Sequence, residues 1–458
     1  MRTEMEARNS ISVIIPVYNN LQIFQICLNF LRAFRGEYVK EIIVVDNNSN
    51  MQTRAWLSMQ NDIIVIRNEK NLGKSVAFNQ GAEIATGKYL LLMHSDVCIT
   101  PNAISNAIHV LEEDNRIGIV GLYSNRSLYA KVNVNYTTID SMIEWANKTE
   151  KTLVKRYSLI VGDLFMLVRS KAYGVNGGFD ERFANYLMAD FDFCMRMHMH
   201  GYHCYLINGF VHHDVDSYED NNIDSLTMLD EGRKIFKLKW DTNPLYSTNI
   251  RGEVLSLMDI YKDKLTVLDV GCACGGNLMT IKLNNPTADT YGIEFNEKTA
   301  AVASCYGEVS AMDVEKVNRD DWQDKFDYII CADVLEHLHN PWQALSNLGT
   351  FLKKDGKVIV SLPNVGHISI INDLLHGRWT YEEAGILDKT HLRFFTKNTA
   401  VDLINSSGLK ILDIRAALVS ANTDNGEADI YKKLRDEGLL FVPEAEAFAY
   451  QFLIVAGK

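Results

Sequence analysis

Three polar clusters in the first half of the chain each follow an apolar stretch, and they read PVYNN at 16–20, VDNNSN at 45–50 and HSD at 94–96. The carboxyl ends of parallel strands meet at one edge of an open sheet, and ligands bind there. The carboxylate of Asp96 is an oxygen ligand of the kind that Mg2+ and Mn2+ take, with water completing the coordination. The clusters therefore predict one site built from several strand ends, although the residues at 46–48 would also serve as a helix cap.

A glycine-rich turn in the second half follows another apolar stretch, in the sequence VLDVGCACGGN at 267–277. Asp269 ends the predicted strand, and Gly271 and Gly275 lie in the turn. Glycine lets the backbone approach a ligand closely and lets the next helix begin. The spacing also fits a loose dinucleotide fingerprint in which alanine replaces the middle glycine, so the turn alone leaves the cofactor open.

Two cycles of strands and helices must position these clusters. In the first half we predict five strands, at 11–17, 41–46, 62–66, 88–94 and 160–168. A helix at 223–240 closes this half. In the second half we predict seven strands, at 265–270, 289–294, 308–312, 326–332, 356–362, 409–415 and 448–456. Strands that alternate with helices indicate parallel sheets with helices on both faces. The sequence thus predicts two tandem α/β domains, at 1–240 and 263–458, joined by a linker at 241–262.

Length and composition limit the kind of protein. A chain of 458 residues is long enough for two or three domains, and 47% hydrophobic with 23% charged residues is typical of a soluble globular protein. The formal charge of −12 argues against nucleic acid as the main partner. No apolar run approaches the roughly 20 residues that span a bilayer, and the first ten residues have no signal-peptide core. Contact with membranes would therefore be at most peripheral. The eight cysteines are scattered and several lie in apolar runs, which favours reduced core thiols and a cytoplasmic protein.

The first half resembles the family 2 glycosyltransferases, which transfer sugar from nucleotide-diphospho-sugars and have the GT-A fold. The resemblance is carried, in family order, by SVIIPVYNN, EIIVVDNNSN, NEKNLGKSVAFNQGAEIATGKYLLLMHSD, GDLFMLVRSKAYGVNGGFDERF, ADFDFCMRMHMHGY and VHHDVDS. It implies a nucleotide-sugar site formed by Pro16, Tyr18, Asn19, Asp46, Asn71, Gly73, Asn79 and Asp96. It also implies a divalent cation, Mg2+ or Mn2+, on the diphosphate, with Asp96 and His212 as ligands. His94 occupies the place of a second acid and need not be a ligand.

Inverting sugar transfer also needs a carboxylate that takes the proton of the acceptor hydroxyl, on the face opposite the leaving group. In the family this base is the aspartate of an acidic pair, which here reads Ala189-Asp190, so the resemblance implies Asp190. Asp192 is a competing carboxylate. Asp192 and Arg196 are four residues apart, a helical spacing that predicts a structural ion pair. We therefore predict that Asp190 is the base.

The second half, over about 263–458, resembles the class I SAM-dependent methyltransferases, which have a Rossmann-like seven-stranded fold. The resemblance is carried by VLDVGCACGGN, TYGIE, AMDV, FDYIICADVLEHLHNPWQAL, GKVIVSLPNVGH and GILDKTHLRFFT, and a dinucleotide dehydrogenase would not predict the later stretches. It implies S-adenosyl-L-methionine (SAM) as the cofactor, held by Asp269, Gly271, Gly275, Glu294, Asp313 and Asp333. Of these, Glu294 would bind the ribose hydroxyls and Asp313 the adenine amine.

Methyl transfer to oxygen requires an aligned hydroxyl and a group that accepts its proton. The candidates are His391, preceded by Asp388, and His337 beside Glu336, because neutral imidazole suits a base near pH 7. Alternatively, His337 fixes the loop after the fourth strand and His391 pairs with Asp388 structurally. We predict His391 as the base, with His337 second, and no metal motif is evident in this half.

The two resemblances together predict a bifunctional enzyme that transfers a sugar to a glycan and O-methylates the added or neighbouring sugar. Rhamnose is suggested as the sugar only by the VVDNNS stretch, which some rhamnosyltransferases share. The acceptor would be a surface polysaccharide, a lipid-linked oligosaccharide or a protein-bound glycan such as that on flagellin. Two alternatives stay open: a methyltransferase with an inactive glycan-binding first domain, and a glycosyltransferase fused to a methyltransferase of amines or lipids.

Overall fold

The structure is a computed structural model that describes residues 10–127, 130–214, 225–418 and 426–458. Contacts within the chain divide it into two compact units, Met1–Thr248 and Asn249–Lys458. None of the described helices combines the length and the apolar character that crossing a bilayer requires. The two tandem α/β folds predicted from the sequence are confirmed.

The first unit is built on one mixed sheet. Its described residues form the strands β1 Ile11–Val17, β2 Val39–Asp46, β3 Ile64–Arg67, β4 Tyr89–Met93, β5 Val97–Ile99, β6 Ile117–Ser124, β7 Lys155–Ser158, β8 Phe165–Arg169 and β9 His203–His213. Its helices are α1 Leu21–Phe34, α2 Met51–Ser58, α3 Lys74–Ile84, α4 Ala103–Glu113, α5 Ile139–Thr149, α6 Ser170–Asn176, α7 Ala189–Met199, α8 Ser225–Trp240 and α9 Pro244–Ser247, with a 3-10 turn at Glu181–Phe183.

The strand order of this sheet is β3-β2-β1-β4-β8-β6-β9-β5, and β7 pairs with β9. Strands β1 to β4 are parallel where they pair, whereas β8 runs antiparallel to β4 and β6. The predicted parallel strands are therefore present, but β5, β6, β7 and β9 are not among the predicted ones. Most of β9 is buried, so buried and exposed residues do not alternate along it and the period of two that marks a strand is missing.

The core of this sheet aligns the strand ends that carry polar residues. Helix α1 presents Phe24, Leu28 and Leu31 at helical spacing, and these fully buried side chains belong to the same apolar cluster as the inner residues of β1 and β2. The register of the sheet places Val17 beside Asp46, at the carboxyl ends of these two strands. The clusters at 16–20 and 45–50 are thereby held side by side.

The second unit is a seven-stranded sheet flanked by helices. Its described residues form the strands β10 Thr266–Val270, β11 Asp289–Glu294, β12 Glu308–Ala311, β13 Phe326–Ala332, β14 Leu352–Pro363, β15 Lys410–Ala417 and β16 Gln451–Gly457. Its helices are α10 Gly252–Leu255, α11 Gly276–Asn284, α12 Glu297–Ala303, α13 Pro341–Phe351, α14 Ile368–Leu375, α15 Lys397–Ser406, α16 Glu427–Asp436 and α17 Glu444–Ala447, with 3-10 turns at Val314–Lys316, Asp320–Trp322 and Leu335–His337.

The order of this sheet is β12-β11-β10-β13-β14-β16-β15, and all its pairs are parallel except those of β16 with β14 and β15. All seven predicted strands are present within a few residues of their predicted bounds. Strand order reverses between β10 and β13, at the kind of position where open α/β sheets bind ligands. The glycine-rich turn after β10 lies at this position.

The predicted linker, 241–262, is divided between the two units and is not one extended segment. Helix α9 belongs to the first unit, and helix α10 to the second. Val254, Leu255 and Met258 are buried in an apolar cluster with Val267 of β10. The part of the predicted linker that follows Thr248 therefore contributes to the core of the second unit.

Candidate active sites

The ends of β1 and β2 are joined by hydrogen bonds around a buried carboxylate. Asn19 donates its backbone N–H to Ser49 Oγ at 3.0 Å, and its side-chain oxygen accepts from the N–H of Asn50 at 2.8 Å. Asp46 is fully buried, and its Oδ1 accepts from the N–H of Ser49 at 2.8 Å. No described residue donates a hydrogen bond to Asp46 Oδ2, although Arg54 Nε lies 3.7 Å from it. This oxygen retains the capacity to accept a hydrogen bond from a ligand.

Four more predicted residues surround these strand ends in different ways. Pro16 lies in β1, and Tyr18 just beyond it is 37% exposed. Asn71 Oδ1 accepts a hydrogen bond from the N–H of Gly73 at 3.0 Å. Gly73 has a φ of +92°, and a Cβ there would lie 2.5 Å from the carbonyl carbon of Ala184. Glycine at 73 is therefore needed to let the start of α3 pack against the loop before α7.

Asn79 has its amide fully engaged within the protein. Its Oδ1 accepts from the hydroxyl of Tyr173 at 2.6 Å and from the N–H of Phe179 at 2.9 Å. Its Nδ2 donates to the carbonyl of Phe179 and to the carboxylate of Glu181. Asn79 therefore fixes the 173–181 segment against α3, and its place in the segment that packs around the nucleotide stays a prediction.

A cluster of three side chains at the end of β4 has the composition of a cation site. His94, Asp96 and His213 each offer one ligand atom, and these atoms lie within 4.8 Å of one another. His213 Nε2 is 3.4 Å from Asp96 Oδ2. Burial acts to lower the pKa of His213, but Asp96 outweighs it and the pKa is raised. His94 thus belongs to the cluster, although the sequence did not require it as a ligand.

His212, the predicted metal ligand, is not in this cluster. Adjacent side chains of a strand point to opposite faces, and β5 pairs Val97 with His213 but Cys98 with His212. His212 Nδ1 lies 2.6 Å from the hydroxyl of Tyr136, and burial raises the pKa of Tyr136 to about 12. The structure therefore brings His213, and not His212, to Asp96. The end of the VHHDVDS stretch, 215–217, lies outside the described residues.

Asp163 connects the cation cluster to Asp190. Its carboxylate pairs with Lys74 Nζ at 2.6 Å and with His94 Nε2 at 3.2 Å. Burial acts to raise the pKa of Asp163, but Lys74 and His94 outweigh it and the pKa is lowered. The backbone N–H of Asp163 donates to the carboxylate of Asp190, whose pKa is raised by burial against the opposing charge of Lys74. A buried carboxyl with a raised pKa suits a general base.

Lys74 and Asp163 are functional candidates that sequence reasoning missed. Both lie inside stretches that carried the resemblance, NLGKS and GDLF, next to residues with clearer individual signals. Their contact is between positions 89 residues apart in the chain, so no local spacing shows it. The structure alone brings the two side chains together.

Asp192 has the structural role that its spacing predicts. Its Oδ2 accepts from Arg196 Nε at 2.9 Å and from Arg196 Nη2 at 2.8 Å, so the predicted ion pair is confirmed. Its Oδ1 accepts from Trp240 Nε1 at 2.9 Å and lies 2.6 Å from Lys239 Nζ. A carboxylate held by this many donors has little capacity left to take a proton from a substrate.

The turn after β10 in the second unit surrounds a buried carboxyl group. Asp269 is 2% exposed and accepts from Asn277 Nδ2 at 3.2 Å. Burial, with a further contribution from the charge of Glu294, raises the pKa of Asp269 to about 7. Gly271 and Gly275 have φ values of +69° and +80°, and a Cβ at Gly275 would lie 2.8 Å from a backbone atom of α12. The turn requires glycine at both positions.

Two residues that are predicted to contact the cofactor lie at the carboxyl ends of β11 and β12. Glu294 ends β11, and its Oε2 accepts from the N–H of Ala273 at 2.8 Å. Ala273 has a left-handed φ of +48°, so the alanine that stands at the middle glycine of the fingerprint is accommodated with this hydrogen bond in place. Asp313 follows β12, where its carboxylate caps the turn Val314–Lys316 and pairs with Lys316 Nζ at 3.1 Å.

Arg251 is a further residue that sequence reasoning missed, because it lies inside the predicted linker. Its guanidinium pairs with the carboxylate of Asp333 and with that of Glu253. Asp333 Oδ1 also accepts from the hydroxyl of Ser361 at 2.5 Å. The backbone N–H of Arg251 donates to Asn277 Oδ1 at 2.9 Å, next to the glycine turn. The positively charged guanidinium of Arg251 is thereby held at the carboxyl ends of β13 and β14.

The two predicted methyl-transfer bases lie together beside Glu336. Glu336, His337 and His391 each offer one ligand atom, and these atoms lie within 4.8 Å of one another. The imidazole ring centroids of His337 and His391 are 4.8 Å apart. Burial, and next the neighbouring His337, lowers the pKa of His391, while burial, and next Asp333, raises that of Glu336.

The predicted alternative pairing of His391 with Asp388 is not among the hydrogen bonds of the described residues. His391 Nδ1 lies 3.0 Å from the carbonyl oxygen of Ile386. The carboxylate of Asp388 instead accepts from the N–H and the hydroxyl of Thr390. His391 is therefore oriented by a backbone carbonyl.

Known proteins share similarity with each half of the chain. The model of glycosyl transferase family 2 matches residues 12–172, and that of a methyltransferase domain matches residues 246–414. The second half is similar to the ubiquinone biosynthesis O-methyltransferase of Coxiella burnetii, 26% identical over 155 residues that cover 32% of this chain and 64% of that protein. An uncharacterized glycosyltransferase of Haemophilus influenzae is 25% identical over 188 residues, covering 41% of this chain and 61% of that protein.

A SAM-dependent methyltransferase from Archaeoglobus fulgidus is similar in structure, with a TM-score of 0.33, 18% identity, and coverage of 49% of this chain and 99% of that one. The chain spans less than two thirds of the length of the two sequence relatives described.

Proposed function

Because the chain carries a family 2 glycosyltransferase domain followed by a methyltransferase domain, we propose that it is a bifunctional enzyme of glycan synthesis. The first domain transfers a sugar from a nucleotide-diphospho-sugar to a glycan with inversion, and the second transfers a methyl group from SAM to a hydroxyl of the product. The observation that supports both steps is the same in each unit: buried carboxyl groups lie at the carboxyl ends of parallel strands, where ligands bind.

In the glycosyl-transfer step, Asp190 accepts the proton of the acceptor hydroxyl as the new bond to the sugar forms. Asp46 Oδ2 accepts a hydrogen bond from the nucleotide, since no described residue donates to that oxygen. Asp163 positions Asp190 through its backbone N–H and holds His94 and Lys74 through its carboxylate. One buried aspartate thus couples the geometry of the base to that of the cation cluster.

The residues present fit a divalent cation. His94, Asp96 and His213 would hold it, and it would stabilise the charge that develops on the departing diphosphate. The donor set has two imidazoles and one carboxylate. Mg2+ prefers oxygen ligands and loses its water reluctantly, whereas Mn2+ is a first-row transition metal that accepts nitrogen ligands more readily, so we infer that Mn2+ serves this site better than Mg2+. This assignment replaces His212 with His213.

In the methyl-transfer step, the glycine turn, Glu294 and Asp313 bind the adenosine part of SAM. The amino-acid part carries one carboxylate and one ammonium, which match Arg251 and Asp269 respectively. His391 is the base in the simplest form of the proposal, because a lowered pKa keeps its imidazole neutral near pH 7. The acceptor hydroxyl would then meet the methyl group beside the turn Leu335–His337.

The proposal also names a class of donor sugar and a class of acceptor. The VVDNNS stretch supports a deoxysugar such as rhamnose by analogy. We propose that the acceptor is a surface polysaccharide, a lipid-linked oligosaccharide or a protein-bound glycan, and that both reactions occur in the cytoplasm. Joining the two domains in one chain raises the effective concentration of the second site for the product of the first.

The experiment that tests the proposal is a screen of nucleotide-sugars, each with Mn2+ and SAM, against cell glycans, with products read by mass. We expect a product heavier by one sugar and then by one methyl group. Methylation without any sugar transfer or donor hydrolysis would instead favour a methyltransferase with an inactive first domain. Sugar transfer followed by methylation of an amine or a lipid would overturn the assignment of the second step.

A further inference from the structure

We propose that Glu336, His337 and His391 form a second divalent-cation site, which binds two neighbouring hydroxyls of the sugar to be methylated. The proposal rests on the proposed methyl transfer and changes the way in which that step is carried out. The sequence shows no metal motif in this half, because the three ligands come from two segments 54 residues apart. The fold alone brings the ligands together.

The first observation is a buried carboxylate whose oxygens accept no hydrogen bond from any other described residue. The side chain of Glu336 is 1% exposed, and no other described residue donates a hydrogen bond to either of its carboxylate oxygens. Buried polar groups are nearly always paired, and an unpaired one points to a bound ion or to a functional role. Asp192 in the first unit shows the usual case, since four donor atoms satisfy its carboxylate.

The second observation is the orientation of the two imidazoles. Nδ1 of His391 lies 3.0 Å from the carbonyl oxygen of Ile386, and Nδ1 of His337 lies 3.2 Å from that of Thr390. A carbonyl oxygen only accepts hydrogen bonds, so each Nδ1 carries the proton and each Nε2 keeps its lone pair. Histidines that bind metals almost always donate their other ring nitrogen to such a partner. Both rings therefore have the tautomer of a metal ligand.

The third observation is that the site is built by the backbone. The carbonyl oxygen of Glu336 accepts from the N–H of Leu392 at 2.8 Å and from that of Arg393 at 2.9 Å. These two bonds tie the segment that carries His391 to the turn that carries Glu336 and His337. The backbone thus fixes the three ligand positions relative to one another, and the hydroxyl of Thr390, 3.2 Å from Nδ1 of His337, adds a side-chain contact.

The chemistry of such a site suits a sugar acceptor. Three protein ligands leave coordination positions open, as in catalytic metal sites, and two adjacent hydroxyl oxygens of a sugar ring would take them. The cation would lower the pKa of the bound hydroxyl and aim it at SAM. The hydroxyl oxygen then bonds to the methyl carbon, the carbon–sulfur bond breaks with its electron pair returning to sulfur, and the hydroxyl proton passes to water. His391 is a ligand in this arrangement and not the base.

The test is a titration of the full chain with Mn2+, in which free Mn2+ is measured by electron paramagnetic resonance. We expect two sites in the unaltered protein, one at His94, Asp96 and His213 and one at Glu336. Asp96→Asn should remove the first site only. Glu336→Gln and His391→Asn should each weaken the second by about 100-fold or more, because each removes a direct ligand, and even outer-shell changes cost 10- to 100-fold.

Three measurements keep the result interpretable. The matched control is His376→Asn, an exposed histidine outside both clusters, which should retain both Mn2+ sites. SAM binding should be unchanged within about twofold in Glu336→Gln, which shows that the domain is folded. Removal of metal by a chelator should slow methyl transfer at least about 100-fold, and added Mn2+ should restore it.

The outcomes separate this proposal from the proposed function. If Glu336→Gln binds Mn2+ with the stoichiometry and affinity of the unaltered protein, or if the unaltered protein has only the site removed by Asp96→Asn, the second cation site does not exist. SAM binding and methyl transfer that survive the chelator would then leave His391 as the base. A protein that binds two Mn2+ ions but neither SAM nor a sugar acceptor would instead overturn the proposed methyl transfer.

Discussion

Replacing Asp269 by asparagine should stabilise the second unit while abolishing SAM binding. Asp269 is almost fully buried, and burial raises the pKa of its carboxyl group to about 7 from an ordinary value of 3.8. At neutral pH and above, the folded protein without cofactor therefore holds a carboxylate in a position that disfavours the charge. Asparagine has nearly the same shape and no charge, so it removes the cost and keeps the packing.

The size of the effect follows from the two pKa values. The folded state binds the proton more tightly than the unfolded state, so the carboxyl group lowers stability as pH rises from about 4 to about 7. A difference of about 3 in pKa is worth about 4 kcal/mol when both states are ionised. We expect Asp269→Asn to raise the free energy of unfolding by up to about 4 kcal/mol at pH 8, by about 2 kcal/mol at pH 5 and not at all near pH 3.

The assay is urea unfolding of the full chain at these three pH values, without cofactor. The chain has two units, so the relevant transition is the one that SAM shifts in the unaltered protein. SAM binding is measured separately at pH 8 by calorimetry, and we expect its loss in the variant because the charge that matches the SAM ammonium is gone. The matched control is Asp313→Asn, whose carboxyl group is partly exposed and has a lowered pKa, so it should not gain stability with rising pH.

One result would refute the reasoning directly. If Asp269→Asn is as stable as the unaltered protein at pH 8, or if its advantage is the same at pH 3 as at pH 8, the carboxyl group does not titrate as proposed. If the variant gains stability and still binds SAM with unaltered affinity, Asp269 is a strained structural residue, and its place in the cofactor site is wrong.

Four further predictions concern the first unit. Asp190→Asn should slow glycosyl transfer by about 10²- to 10⁴-fold and leave donor binding intact, and transfer at the normal rate would exclude it as the base. In the unaltered protein the raised pKa of Asp190 should place the acidic limb of the rate profile above the range of an ordinary aspartate, with activity rising as pH rises through it. His213→Asn should weaken Mn2+ binding at the site of His94 and Asp96, whereas His212→Asn should leave that binding intact. Weaker Mn2+ binding in His212→Asn alone would instead support His212 as the ligand, as the sequence predicted. Asp192→Ala should lower the free energy of unfolding by about 3–5 kcal/mol in urea, because it leaves the charge of Arg196 without its carboxylate, and a change under about 1 kcal/mol would contradict the buried network.

The sequence predicts well where local spacing decides the outcome. The pair of Asp192 and Arg196 follows from one helical turn, and the seven strands of the second unit follow from apolar runs bounded by polar turns. The same reasoning fails where pairing in the sheet decides. His212 and His213 differ by one position, and only the register of β9 against β5 shows which faces Asp96. Arg251 is missed for a related reason, since a charged residue outside any strand gives no local signal.

Burial alone does not mark a functional carboxylate in this protein, because the number of donors and the place in the sheet matter as well. Asp192 and Glu336 are both buried, yet four donor atoms surround the first and no other described residue donates to the second. Asp46 falls between them, with one oxygen satisfied and one not. An unsatisfied buried acceptor costs about 1–3 kcal/mol, so a fold under selection for stability alone would pair or replace it. Glu150 Oε2 is also buried and unsatisfied, but Glu150 follows helix α5, whereas Asp46 ends β2 and Glu336 lies in the turn after β13. An unsatisfied carboxylate oxygen therefore points to a site when it also lies at the carboxyl end of a parallel strand, where open sheets bind ligands.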